Sequence, residues 1–164
     1  MRWLIGIALL GAIFYWVNHR VPEPSYTGIA NYNEVRIGIK AGSREIELVS
    51  YLKRDSSEPC QESDRWFMDA TLRCEDSGQC EVKQRACMNG LPDRYLPMFN
   101  QQRDTTAYLY VEQPTRYRSG VMLFWGLNEQ ESIQLCQSML NQVLANKKAH
   151  KLSEDVIARC IHPE

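Results

Sequence analysis

Histidine is scarce in this chain. His19, His150 and His162 are the whole supply, and none is in step with a cysteine pair of the C-x2-4-C kind that zinc favours. The cysteines run Cys60-x13-Cys74-x5-Cys80-x6-Cys87, with Cys136 and Cys160 further on. The C-x-x-C of a thiol redox motif is therefore missing as well. No G-x-S-x-G elbow, H-E-x-x-H helix or glycine-rich phosphate loop occurs, so the sequence offers no catalytic residue, metal or cofactor. Acidic residues are scattered, most with a basic partner across a ladder, and no two stand out as an acid/base couple. A charge excess is missing too: 19 Lys+Arg against 20 Asp+Glu leave a net charge of -1. With no basic run interleaved with aromatics, nucleic acid is not an expected partner. Internal repeats, low-complexity tracts and Asn-x-Ser/Thr sequons are absent.

A long apolar run is also missing, but a short one opens the chain. From Trp3 to Val17 there is no charge, and Arg2 precedes the run while Asn18-His19-Arg20 follows it. A cleaved signal peptide would follow its apolar core with small residues. Here the run ends in Phe14, Tyr15, Trp16 and Val17, which favours an uncleaved signal anchor over residues 1–20. As a helix the run spans roughly 22 Å against a hydrocarbon layer of about 30 Å. Trp3 and Tyr15-Trp16 would then sit at the two interfaces with Arg2 snorkelling. Pro22 and Pro24 bar helix continuation, so residues 21–30 read as a linker and 31–164 as the soluble domain.

The soluble part reads first as strands. In "EVRIGIKAGSREIELVSYL" two alternating segments flank Gly42-Ser43, which suits a type II′ turn. Setting Ala41 opposite Arg44 places Ile39 across from Ile46 and Ile37 across from Leu48. The other face carries Lys40 against Glu45. Around "CEDSGQC", setting Cys74 opposite Cys80 aligns Leu72 with Val82, Met68 with Ala86 and Trp66 with Met88, an arrangement that favours a disulfide stapling a second hairpin. A third hairpin joins "TTAYLYVE" to "GVMLFWGL" through the loop "QPTRYRSG". Val121 to Trp125 is apolar on both faces and should be a central strand.

After residue 127 the period changes. Ile133, Cys136, Met139/Leu140 and Val143/Leu144 recur at helical spacing, with Asn128 and Glu131 forming a capping box and Lys147-Lys148 at the far end. A shorter helix from Ser153 would bury Val156, Ile157 and Cys160. The fold expected is α+β: an antiparallel sheet of about six strands in three hairpins, then a C-terminal helical pair, preceded by one transmembrane helix. Packing the two helix stripes together pairs Cys136 with Cys160. Cys87, on the face opposite Cys74 and Cys80, is left to Cys60. Disulfides require an oxidising compartment, which agrees with an anchored, exported domain. The short anchor and plain architecture suggest the periplasmic side of a bacterial inner membrane.

The connection 88–104 is long and carries Tyr95, Leu96, Met98 and Phe99 around Pro92 and Pro97. Long loops in compact domains are often functional, and aromatic and Met side chains are common interface anchors. These four residues are the proposed partner-binding set. The competing expectation is that they fold down and cap one end of the sheet. The tip "RYR" at 116–118 is a second candidate that could meet a partner or anionic lipid, but a solvated turn is the favoured reading. The reading is a membrane-tethered binding module, an accessory subunit of a cell-envelope complex. Its partners are proteins at the membrane and the bilayer itself through residues 3–17. The alternatives are a periplasmic immunity or inhibitor protein against a toxic enzyme, and an envelope enzyme whose site sequence order conceals.

Overall fold

The β1–β2 hairpin sets the frame. In the computed structural model, which describes residues 32–53, 80–149 and 152–163, β1 (Tyr32–Ala41) and β2 (Arg44–Lys53) pair antiparallel. Their register is the one that the alternation predicts, with Ile39 opposite Ile46, Ile37 opposite Leu48 and Lys40 opposite Glu45. Gly42 has φ 66° while Ser43 is not among the positive-φ residues, as the first central position of a type II′ turn requires. The anchor, the linker and the segment 66–74 lie outside the described residues. Among the described residues no helix is long and apolar enough to cross a membrane.

Strands β3 (Cys80–Met88), β4 (Tyr108–Gln113), β5 (Arg118–Trp125) and β6 (Ile157–Ile161) complete an antiparallel sheet in the order β3-β1-β2-β5-β4-β6. The doubly apolar β5 lies between β2 and β4, as its composition demands. The β4–β5 connection is tighter than the predicted loop: a 3-10 turn over Pro114–Arg116, then Tyr117 in the left-handed region.

Among the described residues, one segment covers each face of the sheet. Val35, Ile37, Ile39, Ile46, Leu48 and Phe124 form one buried layer, against which the apolar stripe of α2 (Glu129–Lys148) packs through Leu135 and Met139. The helix starts on the expected box: Asn128 Oδ1 accepts from Glu131 N–H at 2.9 Å, and Glu131 Oε2 accepts from Asn128 N–H at 3.0 Å. On the other face, Val49, Tyr51, Tyr108, Tyr110, Val121 and Leu123 are roofed by the segment from Leu91 to Phe99. That segment is a 3-10 turn, Asp93–Tyr95, followed by one helical turn α1, Leu96–Phe99. Pro92 precedes the first and Pro97 sits in the opening turn of the second, where a missing N–H costs nothing.

Two expectations are corrected. Residues 157–161 form β6 on the free side of β4, with Leu109 opposite Cys160, so the C-terminal helical pair is one helix and a strand. The disulfide Cys136–Cys160 nevertheless forms, at a Cα–Cα distance of 5.9 Å, because α2 crosses the sheet face onto which Cys160 points. The second correction concerns β3. It pairs with β1, and a bulge between Arg36 and Ile37 leaves Lys83 unpaired in the register. A bulge shifts strand parity by one residue, so Cys80, opposite Ile39, and Cys87, opposite Asn33, share a face. The reason for setting Cys87 apart therefore does not hold. Both are disulfide-bonded. Lying seven positions apart on one strand, about 23 Å, they are not bonded to each other, and their partners lie outside the described residues.

Candidate functional site

The roof segment and the sheet beneath it hold the site. Its foundation is Glu34, 3% exposed on the face of β1 that the alternation assigns to paired charges. That face is solvated only near the turn, where Lys83 pairs with Glu45; further down it passes under the roof. Glu34 Oε1 accepts from Arg36 Nε at 2.6 Å and from the Tyr51 hydroxyl at 2.7 Å, and Oε2 accepts from Gln84 Nε2 at 3.0 Å. Arg36 also donates to the Tyr51 hydroxyl oxygen at 3.1 Å and to Glu47 at 3.4 Å. Buried polar groups are tolerable when satisfied in this way. Burial, then the adjacent Glu34 carboxylate, pushes the Tyr51 hydroxyl far above its ordinary pKa. Burial opposes the charge on Arg36, but the bonds and charges of Glu34 and Tyr51 together outweigh it and raise the guanidinium further.

The Tyr51 ring carries Tyr95, with ring centroids 4.4 Å apart. Tyr95 is 2% exposed and Met98 0%, so both belong to the core and not to a surface. This corrects their place in the partner-binding set, because a side chain that roofs the sheet cannot also be offered to a partner. Phe99 is half-buried, edge-on to Tyr32 at 5.7 Å. Leu96, at 43%, projects outward. Beside it Arg94 stacks over both Tyr95 and Trp125, 4.9 and 4.5 Å from the ring centroids. The structure thus brings together Arg94 and Trp125, which sequence reasoning missed, with exposed Leu96 two positions on, whereas Phe99 meets Tyr32 toward the other end of the sheet. Trp125 shares a face of β5 with Val121, which lies opposite Tyr51; that non-local pairing, not the sequence, sets its place. Arg94 gives no signal either, since its place depends on the fold of the roof.

A second feature is a cleft of about 240 Å³ on the opposite face, between the sheet and the C-terminal turn of α2. Leu52, Val111, Met122, Val143 and Val156 give it an apolar lining, with Ser50, Gln113 and Arg118 among its polar groups. It is smaller than the roughly 300–1,000 Å³ of usual ligand pockets. Among the described residues no group of three or more His, Cys, Asp or Glu could hold a metal ion. His162 is exposed. Comparison with protein-family models, with curated proteins and with solved structures gives no match to this chain.

Proposed function

We propose that this chain is an extracytoplasmic binding module, tethered to a bacterial inner membrane by residues 3–17, with its soluble domain in the periplasm as an accessory subunit of a cell-envelope protein complex. The observation that carries the reading is the ridge formed by Arg94 stacked on Trp125, with exposed Leu96 two positions on. Tryptophan and arginine dominate interface hot spots, and rigid side chains lose little entropy on docking. Here the guanidinium lies over two rings, Tyr95 and Trp125, and Tyr95 packs on the Tyr51 ring whose hydroxyl bonds Glu34. Bonding of all the described cysteines is what an oxidising compartment would produce. A tether would raise the effective concentration of the ridge at a membrane partner.

The test is a photo-crosslinking amino acid at Leu96 in the full chain in native membranes, with the same group at exposed Asn141 as control. A discrete adduct to a membrane-complex protein from residue 96 only, reduced about tenfold or more by Arg94→Ala, is the expected result. No adduct from position 96, or an adduct to a soluble secreted enzyme, overturns the subunit reading; the second outcome favours an inhibitor.

A further inference from the structure

The β4–β5 hairpin ends on an unusual residue. Tyr117 has φ 51° and ψ 36°, a left-handed conformation that glycine or asparagine adopts more cheaply, and it is 80% exposed. An aromatic ring held in solvent on a strained backbone contributes nothing to packing. Its support is firm nonetheless. The Asp155 carboxylate accepts from Thr115 N–H at 3.2 Å, from the Thr115 hydroxyl, and from Gln113 Nε2 at 3.3 Å, so the tip is fixed to the segment before β6.

Sheet register shows what lies around this tip. Tyr32 pairs with Lys53, Lys53 with Ser119, and Ser119 with Glu112. The first residue of β1 therefore lies at the same end of the sheet as the Tyr117 tip. The helix α2 leaves β5 at the far end, where Arg44 grips Glu131, and runs back to bring Lys147 and Lys148 to this end. Lys53, Arg118, Lys147 and Lys148 thus outnumber Glu112, Glu154 and Asp155 here. At the far end the balance reverses: Glu45, Glu47, Glu81, Glu129 and Glu131 outnumber Lys40, Arg44 and Lys83.

We infer that this end is a bilayer-docking surface, on which Tyr117 enters the headgroup region while exposed Lys53 and Lys148 meet anionic phospholipid. Two observations select the bilayer as occupant. The chain leading back to the apolar run 3–17 departs from this end, and the charge there is complementary to an anionic leaflet. Tyrosine favours the membrane–water interface, and basic side chains near it are drawn to anionic lipid over about a Debye length. Docking by this end leaves the Arg94–Trp125 ridge on the side of the sheet, clear of the bilayer. The inference rests on the tethered-module reading, since it needs the membrane close by.

The experiment uses the full chain reconstituted into phosphatidylcholine vesicles with or without phosphatidylglycerol, carrying an environment-sensitive fluorescent amino acid at residue 117 or, as control, at 141. Bromolipid quenching at 117 but not at 141, only with phosphatidylglycerol and weakened by salt, is expected. Lys53→Glu with Lys148→Glu should lower the docked-to-undocked ratio by about thirtyfold. If the chain floats with vesicles but residue 117 is not quenched, or is quenched equally in neutral lipid, the docking surface is overturned and the tether stands. Binding to anionic vesicles alone, through 117, overturns the tether and keeps the surface. No association with either lipid overturns both. Tyr117→Gly, which relieves the backbone, should fold at least as well as the parent and still shift toward the undocked state; an unchanged ratio contradicts a role for the ring.

Discussion

Replacing Tyr51 with Phe would leave the shape of the core intact and remove one donor from the buried Glu34 carboxylate. Hydrogen bonds to charged groups contribute about 2 kcal/mol, and more when the partner is left buried and short of donors. The unfolding free energy of Tyr51→Phe in urea should fall by that amount, through a lower midpoint at an unchanged slope, whereas an unchanged midpoint would mean that Glu34 finds another donor. A second residue-scale outcome concerns Tyr108. Its hydroxyl donates to Gln102 O at 2.6 Å, and burial, with Asp104 nearby, pushes it up to about 12. A tyrosine pKa raised in the fold contributes stability that is complete below the unfolded value of about 10. That stability is lost as pH climbs from there through about 12, because the unfolded chain gives up its proton first. Tyrosinate absorbance should therefore show a late fraction that shrinks by one tyrosine in Tyr108→Phe while that of Tyr51 remains, and the variant should show a shallower alkaline loss of stability.

At the scale of elements, the outcome separates local from non-local signals. The β1–β2 register and the α2 capping box were legible because each is specified by residues close in sequence: alternation around Gly42, and Asn128 with Glu131 three positions later. β6 was not. Val156, Ile157, Cys160 and Ile161 fit one helical stripe as well as a short strand, an ambiguity periodicity cannot resolve. The open side of β4 decided between them. The bulge at Lys83 was equally hidden, since nothing in "CEVKQRACM" marks it, and it reversed the face of Cys87. In the roof, Pro92 and Pro97 are local marks, but the burial of Tyr95 depends on Tyr51, 44 positions earlier. The Cys136–Cys160 bond ties α2 to β6 across a separation of 24 residues. Closing a loop of that size is worth about 3 kcal/mol. The double variant Cys136→Ser with Cys160→Ser should lose that much in urea, with hydrogen exchange accelerating first over 157–161; uniform exchange across the sheet would contradict a local tie.

For the whole molecule, the described residues form a sheet with a helix on one face and a short roof on the other, its two ends of opposite charge balance. The proposed tether, ridge and docking end are compatible in one orientation, with the basic end toward the bilayer, the hairpin tip at Gly42 away from it, and the ridge facing sideways. That orientation requires an oxidising compartment and an N-terminal run that stays attached. Both requirements meet in a single measurement: the intact mass of protein extracted from native membranes, alkylated without prior reduction. The account predicts a species retaining residues 1–20 with no alkyl group on any of its six cysteines. Six alkyl groups, or a mass lacking the N-terminal segment, would contradict it.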